Sequence, residues 1–175
     1  DLLFKDIVFA AESASEIVNE YPESDFEFIP QRSQEIFTDF VFKNYNGGDF
    51  IDVGASLGFF SFLLAPKSNS FDNFVSCEPD TNAQTDLLEN LSILANIFNK
   101  LRITFINSPI SNGDDVTIVD TSFGHPCFSN SHDSFNNKRR IKSISLDSLV
   151  HSLSLKPKFI KIDVEGAEFD VLQGM

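Results

Sequence analysis

The residues best suited to chemistry in this sequence are carboxylates and glycines placed where short apolar runs end. Phe50-Ile51-Asp52-Val53 leads straight into Gly54-Ala55-Ser56-Leu57-Gly58, and Phe59 to Ala65 follows as a helical segment closed by Pro66. Two glycines let the backbone turn sharply and approach a ligand, and a helix start presents free N–H groups to it. A dinucleotide site would place Gly-x-Gly-x-x-Gly here, against a pyrophosphate. This turn has Ser56 at the second glycine position, and the Asp52 carboxylate beside it repels a pyrophosphate and attracts a cation. S-adenosylmethionine, with an ammonium and a sulfonium, suits that charge. The alternative is a plain strand-to-helix turn in which Asp52 is a local hydrogen-bond partner.

Other polar groups close the neighbouring runs. Glu78, followed by Pro79-Asp80, ends Phe74-Val75-Ser76-Cys77. Adjacent strands lie about 4.8 Å apart, so Glu78 can accept the ribose hydroxyls of an adenosine lying across the strand ends. Its distance along the chain from the glycine turn is close to the roughly 20 residues expected of a ribose acid. Glu78-Pro79-Asp80 also reads as helix-start punctuation. Asn107-Ser108, after Ile103 to Ile106, can line an adenine or simply form a polar turn before Pro109. Phe159 to Ile162 ends in Asp163-Val164-Glu165-Gly166. Asp163 and Glu165 read either as helix-start acids or as groups facing the same crevice as Asp52 and Glu78, because the first and fourth strands flank the switch point of a doubly wound sheet. No clear metal-ligand set is visible. His125 and His132 in a Ser/Asn-rich loop are candidate bases or bystanders, and Lys138 to Arg140 with Lys142 is a solvated basic face or an anion contact.

The elements that must hold these groups follow from periodicity. From residue 47 onward, short apolar runs alternate with helical segments, the pattern of βαβ units and a mostly parallel sheet. Leu87, Leu91, Leu94, Ala95 and Phe98 give a long helix after the second strand, with Thr81 and Gln84 as a capping box. Val116 to Val119 and Ile141 to Ile144 are expected as a peripheral strand pair joined by a loop from Thr121 to Asn137, and Leu146 to Leu153 as a short helix with Asp147 near its cap. Residues 1–46 are read as an N-terminal helical segment: Ile7, Val8, Ala11, Ala14, Ile17 and Val18 form one stripe, Ile36, Phe37, Phe40 and Val41 another. Tyr21-Pro22 and Ile29-Pro30 bracket a loop or extended stretch between the two helices.

Composition bounds the function. The 175 residues suit one main domain, and thirteen Lys and Arg against twenty-six Asp and Glu leave a net charge of -13. That field repels nucleic acid and anionic membrane surfaces, so neither is an expected partner. No run is long enough to span a bilayer. Cys77 and Cys127 are too few for a disulfide framework, which points to a reducing compartment, the cytoplasm. No secretory signal is visible, and a chain opening at Asp1 is read as having lost its natural start.

Three segments together, Phe50 to Phe60, Cys77-Glu78-Pro79-Asp80 and Phe159 to Met175, resemble the FkbM-type methyltransferases, a branch of the class I S-adenosylmethionine-dependent superfamily. The resemblance covers about Phe50 to Met175. It implies an α/β Rossmann-like sheet of order 3-2-1-4, S-adenosylmethionine as cofactor, and methylation of a hydroxyl on a sugar, glycolipid or polyketide-like acceptor. Asp52, Gly54 and Gly58 match the family's cofactor turn, with Ala55 and Ser56 inside it. Glu78, beside Pro79, matches its ribose acid, and Asp163 with Glu165 its acidic fourth-strand motif, which makes those two the catalytic candidates. Asn107 and Ser108 complete the expected cofactor contacts. Residues 47–175 are accordingly read as a C-terminally truncated methyltransferase domain, with missing strands or a partner chain covering the edge of the fourth strand. The alternatives are an N-methyltransferase on the same fold, or a noncatalytic module that binds an adenosine ligand or a partner chain.

Overall fold

A computed structural model describes residues 8–11, 29–113, 116–120, 127–128, 138–164 and 166–175. Its centre is a five-stranded parallel sheet of β1 (Val8–Ala11), β2 (Asp49–Val53), β3 (Asn73–Cys77), β4 (Arg102–Ile106) and β10 (Pro157–Ile162), in the order β1-β10-β2-β3-β4. Leaving out β1, this is the 3-2-1-4 order expected from the sequence. Helices cover both faces. One face carries α1 (Ile29–Asn44), α2 (Phe59–Leu64) and α3 (Thr81–Ile97); the other carries α4 (Leu146–Ser152) and α5 (Glu168–Gln173). Among the described residues no helix is long and apolar enough to cross a membrane.

Both faces of the sheet are buried, so its strands are apolar on both sides. Ile51, Val53, Val75, Cys77, Ile160 and Ile162 pack with Leu146, Leu149 and Val171 of α4 and α5. On the opposite face Phe50, Phe74 and Phe159 sit in one row across three strands, because the register pairs Phe159 with Phe50 and Phe50 with Phe74. Tyr45, at the exit of α1, meets all three rings with centroids 6.0 to 6.2 Å away. Its hydroxyl donates to the Gly48 carbonyl at 2.8 Å, and burial pushes its pKa up. At the amino ends, Asp49 accepts from the backbone N–H groups of Asn73 and Lys156, each at 2.8 Å, and so ties the starts of β2, β3 and β10 together.

Several expectations for the N-terminal segment are corrected. Val8 and Ala11 are not on a helix. They belong to β1, whose pairing with β10 runs from Val8 opposite Phe159 to Ala11 opposite Ile162. A four-residue apolar run gains more from an open strand edge than from the helical spacing it also satisfies. The β10 edge expected to await missing strands or a partner chain is therefore taken by the chain's own β1. Ile7, Ala14, Ile17, Val18 and the Tyr21-Pro22 pair lie outside the described residues. Ile29-Pro30, read as one boundary of the stretch between two helices, opens α1; in a first turn, where the N–H has no intrahelical partner, proline is tolerated.

One cap also differs. Asp80 caps α3 by accepting from Asn82 N–H at 3.0 Å, which leaves Thr81 inside the helix and frees Gln84. Ser145 caps α4, its hydroxyl accepting from Ser148 N–H at 3.1 Å, and Asp147 lies in the first turn, near the cap as expected. The peripheral pair is present as β6 (Val116–Asp120) against β8 (Lys138–Lys142), antiparallel. Cys127–Phe128 adds a short strand, β7, to β6. Ile144 leaves that sheet: β9 (Ile144–Ser145) pairs in parallel with β5 (Ile110–Ser111). The rest of the Thr121 to Asn137 loop, with His125 and His132, lies outside the described residues, as do the side chains of Cys127 and Lys138 to Arg140.

The aromatic row yields a first prediction. Phe50 is fully buried between Phe74 and Phe159, so Phe50→Ala should cost about 3–5 kcal/mol of stability. Urea unfolding measures this, and a loss below about 1 kcal/mol would mean that the row is not the core of that face.

Candidate active site

The parallel register brings the carboxyl ends of β10, β2, β3 and β4 level, and each strand's next residue continues the ladder. Asp163 N–H donates to Val53 O, Gly54 N–H to Cys77 O and Glu78 N–H to Ile106 O, all at 3.0 Å. Gly54, Glu78, Asn107 and Asp163 therefore lie along one rim. The turn that follows β2 is tight. Gly54, Ser56 and Gly58 all have positive φ, at 77°, 49° and 84°. A Cβ on Gly54 would stand 1.9 Å from the Asp163 carbonyl oxygen, and one on Gly58 2.9 Å from Leu87 Cδ1. Glycine at 54 is thus demanded by the close passage of β10's exit. Ala55 is buried, and its carbonyl accepts from Gly58 N–H at 2.8 Å. Ser56 occupies the left-handed region at a cost of roughly 1–2 kcal/mol for a side chain that is not glycine, so something must hold it.

Glu78 holds it. Its Oε2 accepts from Ser56 N–H and its Oε1 from Asp80 N–H, both at 2.8 Å. The side chain clamps the glycine turn to the start of α3 and is only 6% exposed. Burial pushes its pKa up, and the two N–H donors offset that only in part. Pro79 is buried beside it. Gln84, released from the capping role expected of it, donates to Glu78 O at 3.2 Å and to Asn107 Oδ1 at 2.6 Å. It joins the ends of β3 and β4. Asn107 is exposed and Ser108 half-buried. The sequence reading missed Gln84 as a rim residue because its helical position also fitted a capping box.

Beneath the rim lies a second row. Two positions after the phenylalanines, on the same face, the register pairs Lys161 with Asp52 and Asp52 with Ser76. Lys161 Nζ stands 3.1 Å from Asp52 Oδ1 and 3.5 Å from Asp163 Oδ2, and it donates to Gly54 O at 2.7 Å. The Phe60 ring covers it at 5.1 Å, and the hydroxyls of Ser61 and Ser76 meet at 3.2 Å. Asp52, expected beside the turn as an attraction for a cation, is fully buried, and its carboxylate is met by a cation of the chain itself. Among the described residues neither Asp52 oxygen receives a hydrogen bond, so the contact with Lys161 is a pairing of charge. Burial pushes the Asp52 pKa up against the pull of Lys161. Asp163, with its side chain 37% exposed, is the member of the row that reaches the rim. Glu165 lies outside the described residues. Glu168 Oε1, unforeseen from the sequence, accepts from Val164 N–H and Gly166 N–H at 3.3 Å and shapes the turn there.

A family model for the methyltransferase FkbM domain matches residues 52–175, which takes in every rim residue and leaves out β1 and α1. The chain belongs to the FkbM methyltransferase domain family. A crystal structure of a methyltransferase FkbM from Methylobacillus flagellatus KT at 2.20 Å resolution is similar over 74% of this chain, with 22% identity and a TM-score of 0.49. The chain spans 29% of that protein's length. No curated protein matches it.

For an FkbM domain the rim has a definite chemistry. Its side chains offer acceptors: the Glu78 and Asp163 carboxylates and the carbonyl of Asn107. One ammonium serves two carboxylates, so the Lys161, Asp52 and Asp163 group keeps one uncompensated negative charge when all three are ionised, and of the three side chains it is that of Asp163 that is open to solvent. Among the described residues no group of three or more His, Cys, Asp or Glu is placed to hold a metal ion.

Two outcomes follow. Gly54→Ala cannot be accommodated without moving β10's exit, so it should lower stability by about 2 kcal/mol or more; a variant of unchanged thermal midpoint would mean that the turn can open. Glu78 gives a pH signature. Its folded-state pKa is raised, so the folded chain takes up that proton more readily than the unfolded chain. Stability from this group is complete below the unfolded pKa and is lost as pH rises through the folded one. Relative to Glu78→Gln, the wild type should therefore gain stability as pH falls from 7 toward about 4.3. Paired urea titrations across that range measure the difference, and a gain with rising pH would mean that the backbone donors outweigh burial.

Proposed function

We propose that the chain binds S-adenosylmethionine along the rim and serves methyl transfer to a hydroxyl of a sugar, glycolipid or polyketide-like acceptor. The observation that carries this reading is the single cation shared by two carboxylates directly under a rim of acceptors. Such a site suits a ligand rich in donors and positive charge, and it disfavours a pyrophosphate. The cofactor fits that set, since its ammonium matches the uncompensated charge reaching the rim at Asp163 and its ribose hydroxyls match the acceptor lone pairs of Glu78. Asn107 and Ser108 would line the base, and the Gly54 to Gly58 backbone would bear on the amino-acid portion.

When bound, the cofactor supplies an electrophilic methyl group. What the chain contributes is alignment, because positive charge on sulfur disappears in such a transfer and no new ion needs a counter-charge. A sugar hydroxyl is a weak nucleophile, so a carboxylate that takes its proton speeds the step by about 100-fold or more. Asp163 and Glu165, from the same motif, are the candidates to take that proton and pass it to solvent. A free, buried Cys77 thiol suits a reducing compartment, and we place the protein in the cytoplasm.

Calorimetry with S-adenosylhomocysteine and NAD tests the reading. S-adenosylhomocysteine should bind, and NAD should bind at least about 100-fold more weakly, because its pyrophosphate would face Glu78 and Asp163 in a site of reduced dielectric. Tighter binding of NAD would overturn the proposal.

A further inference from the structure

A lysine buried to 2% exposure in the middle of a sheet needs a reason. Stability is a poor one, because a buried ion pair is commonly matched or bettered by apolar side chains of the same volume. Asp52 alone would also suffice to neutralise it. Lys161 Nζ instead meets three different structures: it stands in charge contact with Asp52 inside β2 and with Asp163 past the end of its own strand, and it donates to the Gly54 carbonyl at the start of the glycine turn. These partners are graded. Asp52 is fully buried and fixed by the sheet register, while the Asp163 side chain is 37% exposed. Phe60 closes the remaining side.

We propose that Lys161 is a positioning residue: anchored on Asp52, it sets the Asp163 carboxylate at the rim and locks the glycine turn to the end of β10. Lys161 itself touches no ligand and acts through the two groups it holds. Where ligand affinity is the readout, the inference rests on the S-adenosylmethionine reading; where backbone motion is the readout, it does not.

The test uses the whole chain. Lys161→Met alone strands the buried Asp52 charge and lowers stability for that reason, so the informative variant is the neutral pair Asp52→Asn with Lys161→Met. Without any ligand, hydrogen exchange followed by mass spectrometry should show faster exchange in the neutral pair at residues 54–58 and 163–167, by about tenfold, with the rest of the sheet unchanged. Unchanged exchange in those two segments would overturn the proposal. The second arm adds Asp163→Asn to both backgrounds and measures S-adenosylhomocysteine affinity. Asp163→Asn should weaken binding about tenfold with Lys161 present and less than about twofold in the neutral pair, because the two residues act as a unit. An equal loss in both backgrounds, or no loss with Lys161 present, would show that Lys161 positions nothing at the rim. If the wild type fails to bind S-adenosylhomocysteine, the functional reading falls, and the exchange arm still decides the role of Lys161.

Discussion

A charged group inside a parallel sheet is the constraint around which the rest of this structure is arranged. Lys161 and Asp52 face one another across adjacent central strands, with helices on both sides and little water to screen them. Removing one partner of such a pair typically costs about 3–5 kcal/mol, since the other charge is left buried and alone. The register of β10 on β2 is therefore held by charge as well as by the phenylalanine row one step below it. Slipping β10 by one residue would turn Lys161 toward the apolar face that holds Leu149 and Leu155 and leave Asp52 buried without its partner. Because the pair lies one residue before the ends of the strands, the turn, the rim and the exit of β10 all inherit its placement.

The rim is built in layers from that pair. Phenylalanines fill the centre of one face, a polar row of Lys161, Asp52 and Ser76 follows, and backbone and carboxylate groups open to the crevice above it. Helix α2 seals the polar row, with Phe60 over the lysine and Ser61 against Ser76. Glu78 does for the outer layer what Lys161 does for the inner one. It ties the left-handed Ser56 to the start of α3 and keeps a strained turn in one conformation. An FkbM domain thus reaches its acceptor-rich edge through two buried clamps, one cationic beneath the rim and the other anionic within it.

Much of this was legible in the sequence, and the omissions have physical causes. Apolar runs ending in glycine or acid located β2, β3, β4 and β10 and gave their order, because a buried parallel strand has few other ways to read. The glycine turn, Glu78 and Asp163 were found at their strand ends for the same reason. Val8 to Ala11 was misread because four residues carry too little periodicity to separate strand from helix, and only the open edge of β10 decides between them. The cap of α3 fell on the residue before the one chosen, a difference of hydrogen-bond geometry that residue type alone does not resolve. The Asp52 partner was missed although a signal was present. Phe-Ile-Asp-Val, Phe-Val-Ser-Cys and Phe-Ile-Lys-Ile share one frame, with a polar residue at the third place of a strand buried on both faces. Opposite charges at equivalent places of two such strands point to a pair across the sheet.

The account stands or falls on what the rim accepts. A crystal structure of the chain with S-adenosylhomocysteine is the most direct measurement: it should show the ribose hydroxyls on Glu78 and the amino group beside Asp163, with Lys161 still on Asp52 and the Gly54 carbonyl. A nucleoside bound away from the ends of β2, β3 and β10, or a Lys161 side chain swung out to meet the ligand itself, would contradict it.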